Sequence, residues 1–326
     1  MKLRLLAGLI PALLTPLILT SCHSGDPIGA GPTGPRWNGV QSGTSLPLNA
    51  IWGSSASDVW SVGGAGGVAS ILHYNGTSWG SSWTSPTTAA WYVFAVWGTS
   101  ASDVWAVGYS AGVGATLHYD GTTWSSVPTG TTAILIGAWG TSKSDVWAVG
   151  GANNTGTILH FNGTAWSTVP SGSNPVLLAV WGSSASNVWV TGNAGTMLRY
   201  NGTSWSSVPS GTTDDLIAVW GTSASDVWAV GGSASTGGTI VHYNGTQWSR
   251  VTSGTAQTLY GVWGTSASNV WAVGNSGTII HFDGTSWSSN TSSGTSAYLD
   301  GVWGSSPTDV WLIGGGGTIF HGPPTP

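Results

Sequence analysis

The phrase Trp-Gly-Ser/Thr-Ser followed by Asp/Asn-Val-Trp occurs seven times in this chain. Its leading tryptophans are Trp52, Trp97, Trp139, Trp181, Trp220, Trp263 and Trp303, spaced by 45, 42, 42, 39, 43 and 40 residues. A period of about 40–45 residues matches one four-stranded propeller blade, which must stack on neighbours to bury its apolar faces. The expected fold is therefore all-β: a seven-bladed β-propeller of four-stranded blades.

Residues 174–211 show how one repeat becomes four strands. Leu177 to Trp181 is a near-continuous apolar run, as suits a strand buried on both faces. Asn187 to Val190 and Thr196 to Tyr200 follow as the second and third strands. Asn201-Gly202 reads as a type I′ hairpin, since both central positions of that turn need positive φ. Thr203 to Val208 is the fourth strand.

The last repeat stops at Thr318-Ile319-Phe320-His321 and lacks a fourth strand. At the other end, Trp37-Asn38-Gly39-Val40 matches Trp205-Ser206-Ser207-Val208, and Trp37 stands 15 residues before Trp52, the usual spacing. The N-terminal strand is thus expected to complete the last blade and close the ring, leaving only short outer edges. Pro323, Pro324 and Pro326 would prevent further pairing at the tail.

Only the stretch between second and third strands varies freely, with Trp-to-His distances of 13, 13, 13, 10, 14, 10 and 10 (Arg199 replaces His in the fourth repeat). In a propeller those loops and the blade-to-blade crossings open on one face. Length variation therefore gathers on a single face, as in loops that bind.

Residues 1–21 read as a signal peptide, with Lys2 and Arg4 ahead of an apolar stretch from Leu5 to Leu19. Leu19-Thr20-Ser21-Cys22 resembles the bacterial lipobox, which implies lipidation of Cys22, the chain's only cysteine. Two or three acyl chains anchor stably where one is marginal. Residues 22–36, rich in Gly and Pro, read as a tether with a reach of about 20 Å. Residues 37–326 form the propeller. The expected location is the bacterial envelope, on the outer membrane or cell surface, as a lipid-anchored monomer. A lone cysteine also excludes an intrachain disulfide.

Beyond residue 21 there are four cations against eleven aspartates and no glutamate, a net charge of −7. That balance argues against nucleic acid, which calls for a basic face.

The repeated phrases resemble the secreted bacterial propeller repeats grouped with BNR/Asp-box-like and WD40/YVTN-like repeats. The resemblance spans residues 37–326. His118-Tyr119-Asp120-Gly121-Thr122-Thr123-Trp124 keeps the Asp, Gly and Trp of an Asp-box at shifted spacing. The resemblance implies a β-propeller, and the grouping spans sialidases, lectins and assembly factors, so it assigns no activity.

His73, His118, His160, His242, His281 and His321 precede the second hairpin turn in their repeats. Equivalent strands in adjacent blades are expected about 14 Å apart, too far to share an ion. The structural reading is a repeated polar contact with Asp58, Asp103, Asp145, Asp226 and Asp309, replaced by Asn187 and Asn269, like the Asp–His–Trp contacts of WD40 blades. No metal or cofactor is expected. Of 23 tryptophans, 21 fall three per repeat and belong to blade packing, each needing a partner for its N–H.

Trp83 and Trp91 are the exceptions, lying in the longest crossing beside Tyr92, with Tyr109 in the next hairpin. These four are the candidate ligand contacts; the alternative is that Trp83 or Trp91 fills a gap beneath the longer loop. Asp214, Asp215 and Asp300 also break pattern and read as solvated surface charge. Asn75, Asn162, Asn201 and Asn244 in Asn-Gly-Thr could be glycosylation acceptors, but Asp120 and Asp283 at equivalent positions favour a turn role.

No paired carboxylates, Ser–His–Asp pattern or phosphate loop stands out. The expected function is a non-catalytic binding platform recognising glycan or cell-wall material through the variable face. The alternatives are a protein-interaction scaffold and, less favoured, a glycoside hydrolase.

Overall fold

The computed structural model describes residues 37–86, 89–170, 172, 175–289 and 294–322. Cys22, the signal peptide, the tether and the terminal prolines lie outside them. Among the described residues, no helix is long and apolar enough to cross a membrane.

The chain forms seven separate four-stranded antiparallel sheets. Blade one is representative, with an inner strand Leu48–Ser55, a second strand Asp58–Ala65, a third Val68–Tyr74 and an outer strand Trp79–Thr84. The seven inner strands contact one another in sequence, and that of blade seven, Leu299–Ser306, contacts that of blade one. The architecture is a closed seven-bladed propeller.

Closure follows the expected route. Asn38–Val40 pairs antiparallel with Ile319–Gly322, bringing Asn38 opposite His321 and Val40 opposite Ile319. Trp37 fills the outer-strand tryptophan position of blade seven. It is buried and packs edge-to-face on Trp271 of blade six at 5.4 Å. The equivalent contacts Trp79–Trp311, Trp124–Trp60, Trp166–Trp105, Trp205–Trp147, Trp248–Trp189 and Trp287–Trp228 join every other pair of neighbouring blades. Each seam is thus an aromatic contact, and removal of indole surface from water at each seam supplies much of the driving force for stacking.

Those indoles differ from expectation in one respect. The Nε1 atoms of Trp60, Trp105, Trp147, Trp189, Trp228, Trp271 and Trp311 are buried without a hydrogen-bond acceptor. Trp124 is an exception, donating to Ser82 Oγ at 3.1 Å. Their burial comes with the edge-to-face packing of the seams, in which each of these indoles meets the outer-strand indole of the adjoining blade.

Turn chemistry also departs from the sequence reading. In Asn201-Gly202 only the glycine takes positive φ (93°), so the turn is not type I′. Asn201 Oδ1 instead accepts N–H groups of Thr203 and Ser204, an Asx closure that delays the outer strand to Trp205–Ser207. Asp120 and Asp283 do the same at their positions, which explains the Asn/Asp exchange. Turns with two positive-φ residues occur between the second and third strands, at Gly66-Gly67, Ala111-Gly112 and Asn153-Asn154. Blades four, six and seven have short 3-10 turns there, at Asn193–Gly195, Asn275–Gly277 and Gly315–Gly317.

Candidate functional site

The two faces of the ring are built differently. On the variable face, hairpins between second and third strands touch the crossings: Ser210 Oγ donates to Gly195 O at 2.7 Å, and Trp91 N–H donates to Gly67 O at 3.0 Å. The opposite, uniform face carries the turns of constant length.

Toward the uniform face each blade holds one polar network. In blade one, Ser54 Oγ donates to Asp58 Oδ2 and Asp58 Oδ1 meets His73 Nε2, both at 2.6 Å. The His73 ring stacks on Trp60 with centroids 4.0 Å apart. Blade six shows why asparagine serves equally. Asn269 Oδ1 accepts from His281 Nε2 at 2.6 Å, while its Nδ2 donates to Thr265 Oγ1 at 2.7 Å. The bond to the hydroxyl reverses direction and nothing is left unpaired. In blade four Arg199 Nε donates to Asn187 Oδ1, and its guanidinium lies 5.1 Å over Trp189. The carboxylate stands between hydroxyl and imidazole, so no histidine is placed to take a proton from these hydroxyls. The networks hold blades together.

The four aromatic candidates gather on the variable face at blades one and two. Along a strand, Trp79 and Trp83 would share one face. Blade one's outer strand contains a bulge: Leu72 pairs with Ser81 but Ile71 pairs with Trp83, leaving Ser82 extra. The bulge flips parity. Trp79 therefore packs in the core shared with blade seven, whereas Trp83 packs in the core shared with blade two, beside Ile71 and Val93. Trp91 opens blade two's inner strand (Trp91–Ser100) and meets Trp83 edge-to-face at 5.3 Å. Tyr92 and Tyr109 are direct cross-strand partners. All four are half-buried.

Around them stand Val68 and Val113, the two most exposed large aliphatic side chains among the described residues, at 47% and 48%. A cavity of about 510 Å³ lies beside Trp91, lined by Val113, Val127 and Pro128, with no charged residue among its lining.

A larger groove, about 1100 Å³, crosses blade four on the same face. Sequence reasoning missed it, although the short fourth hairpin between two long ones was a usable signal. The aspartates near it are not free surface charge. Asp214 is almost buried; its Oδ2 accepts from Thr239 Oγ1 at 2.5 Å and pairs with Arg250 at 3.3 Å. The Thr239 hydroxyl, then those of Thr236 and Thr212 and the Arg250 charge, hold its carboxyl below the usual range against the opposing effect of burial. Asp215 Oδ1 accepts the N–H of Ala194. Asp300 is buried too, and takes the axial inner-strand position filled by Ile136, Leu178 and Ile217 in other blades. Among the described residues, no group of three or more His, Cys or Asp is arranged to hold a metal.

No family model and no curated protein sequence matches the chain. Solved structures do resemble it. YCF48 bound to D1 peptide matches with a TM-score of 0.71 at 14% identity, covering 90% of this chain and 100% of that one. Virginiamycin B lyase from Staphylococcus aureus matches at 0.72 and 12% identity, covering 88% and 98%. The WD40 propeller domain of Doa1 matches at 0.68 and 10% identity, covering 88% and 96%. At such identities the likeness shows the fold alone, a seven-bladed propeller with WD40-like neighbours.

Proposed function

We propose that this chain is a non-catalytic protein-interaction platform, anchored to a bacterial envelope through lipid on Cys22, that engages its partner with the variable face of blades one and two. The observation that carries the reading is the exposed pair Val68 and Val113 flanking the half-buried quartet Trp83, Trp91, Tyr92 and Tyr109. A clustered, charge-free aromatic surface is the composition of an interface centre. Edge-to-face packing of Trp83 on Trp91 favours an apolar protein contact over the open stacking platform that a sugar ring uses. A propeller neighbour carrying a peptide, and others of WD40 type, are consistent with a scaffold role. The tether joins at Trp37, where the outer strand of blade seven begins on the uniform side, so the variable face would point away from the anchor.

Site-specific photocrosslinking in cells tests this. A benzoylphenylalanine at Val113 should give a discrete protein adduct that Trp91→Asp abolishes, and one at Ser102 on the uniform face should give none. Adducts absent from both Val68 and Val113, or displaced by cell-wall sugars, would overturn the protein reading, the latter in favour of a glycan.

A further inference from the structure

Blades one and two carry no acidic or basic side chain toward the variable face. Between Leu48 and Thr132 such side chains, histidine aside, are Asp58, Asp103 and Asp120, and all three serve networks or turns toward the uniform face. His73 and His118 lie there too, bonded to Asp58 and Asp103. A charged group brought to the variable face of these blades would meet no counter-charge.

The aromatic quartet supplies polar atoms instead. The seven second-strand indoles bury their Nε1 atoms. By contrast, Nε1 of Trp83 and Trp91 and the hydroxyls of Tyr92 and Tyr109 are neither sealed from water nor hydrogen-bonded to any described residue. The Tyr92 hydroxyl reaches the blade-one hairpin, 4.0 Å from where a Cβ on Gly67 would stand. Tyr109 pairs with Gly114 of the blade-two hairpin, and Gly114 and Trp91 both line the cavity of about 510 Å³. The open donors thus run from one hairpin to the next. An indole N–H can only donate, so the occupant must bring acceptors.

Shape narrows the class further. The rings of Trp83 and Trp91 stand 74° apart and form a corner. A sugar ring stacks on a flat face, and its hydroxyls donate as well as accept. Val113, Val127 and Pro128 extend the apolar surface from Trp91. A proline-rich chain meets each requirement. It is uncharged, its rings are compact and apolar, and its prolines present carbonyls with no N–H beside them. Its polyproline II form is set before binding, so little freedom is lost on docking in an aromatic groove.

We infer that the rim of blades one and two binds an uncharged, proline-rich segment of its protein partner in polyproline II form. Proline rings enter the corner between Trp83 and Trp91, and carbonyls accept from the indole and phenol donors. The inference rests on the protein-interaction reading above and specifies the partner's chemistry.

Calorimetric titration of the full chain with end-blocked nonapeptides tests it, comparing repeats of Pro-Pro-Leu with repeats of Ala-Ala-Leu. The proline peptide should bind on the order of tenfold more tightly than the alanine peptide. Its affinity should stay within about twofold as salt rises, since no charge pair is formed. Trp91→Asp should abolish binding. Because that change could disturb the core beside Trp83, the double variant Tyr92→Phe, Tyr109→Phe keeps both rings and removes only donors; it should weaken the proline peptide about threefold to tenfold. Equal affinity for the two peptides, no binding by either, or full affinity in the double phenylalanine variant would overturn the inference. A protein adduct at Val113 without proline-peptide binding would sink this partner chemistry and leave the interaction reading standing; absence of the adduct would sink that reading as well.

Discussion

The indole of Trp303 in blade seven occupies the space that a side chain at Gly53 in blade one would need. A Cβ built on Gly53 would stand 2.5 Å from Cη2 of that ring. The relation repeats around the toroid: Trp52 over Gly98, Trp97 over Gly140, Trp139 over Gly182, Trp181 over Gly221, Trp220 over Gly264 and Trp263 over Gly304. Each Trp-Gly pair therefore supplies a ring to the next blade and receives one from the blade before. The glycine is required by close approach, not by backbone conformation.

Gly182→Ala should thus destabilise the chain by about 1–3 kcal/mol, the range for inserting a methyl into a filled core. The Cβ would stand 2.5 Å from Trp139 and 2.9 Å from the carbonyl of Asn187, so trimming the indole should restore only part of the loss. Gly80→Ala, whose Cβ meets nothing within 4 Å, should fall within about 0.5 kcal/mol of the parent. Thermal or urea unfolding distinguishes the two; equal effects would refute the contact argument.

Removing the closing tryptophan should open the ring at one seam. Trp37→Ala deletes a side chain only 5% exposed and its contact with Trp271, and should cost about 3–5 kcal/mol. Hydrogen exchange should then rise first in Ile319–Gly322, the strand it covers. Unchanged protection there would mean that the N-terminal strand does not seal the propeller.

At Asp103, exchange for asparagine should cost less than about 1 kcal/mol, because the contact to His118 survives and the bond to Thr99 can reverse, as it does at Asn269. Asp103→Ala should cost about 1–3 kcal/mol by leaving His118 and Thr99 without their partner. Denaturant midpoints that rank the two variants the other way would show that charge, and not hydrogen bonding, holds the network.

Acid should weaken blade six through His281. Burial holds this imidazole below its ordinary range, with the charge of Asp283 acting in the opposite direction. Folding then favours the neutral ring: its contribution is complete above about pH 6.5 and is lost as pH falls through the folded value. Melting temperature should drop between pH 7 and pH 5 more steeply for the parent than for His281→Gln. Parallel curves would remove His281 as a source of acid sensitivity.

Most of the fold was legible because tryptophan spacing encodes it. Seven equal phrases can be satisfied only by seven stacked blades, and a terminal repeat lacking its outer strand, matched by Trp37 to Val40 at the opposite end, specifies how the ring closes. Local sequence also located the variable face, since a loop's length is read directly from the chain. It did not reveal which way Trp83 points: one extra residue at Ser82 reverses side-chain parity, and a bulge leaves no mark in composition. Nor did it distinguish Asp214 and Asp300 from surface charge, because their burial depends on Thr239, Arg250 and the inner strands of other blades. The groove over blade four belongs to the same class, arising from one short hairpin set between two longer neighbours. Spacing within a repeat determines what packs locally; register and the meeting of distant repeats, which settle only when the ring closes, decide what is exposed to a partner.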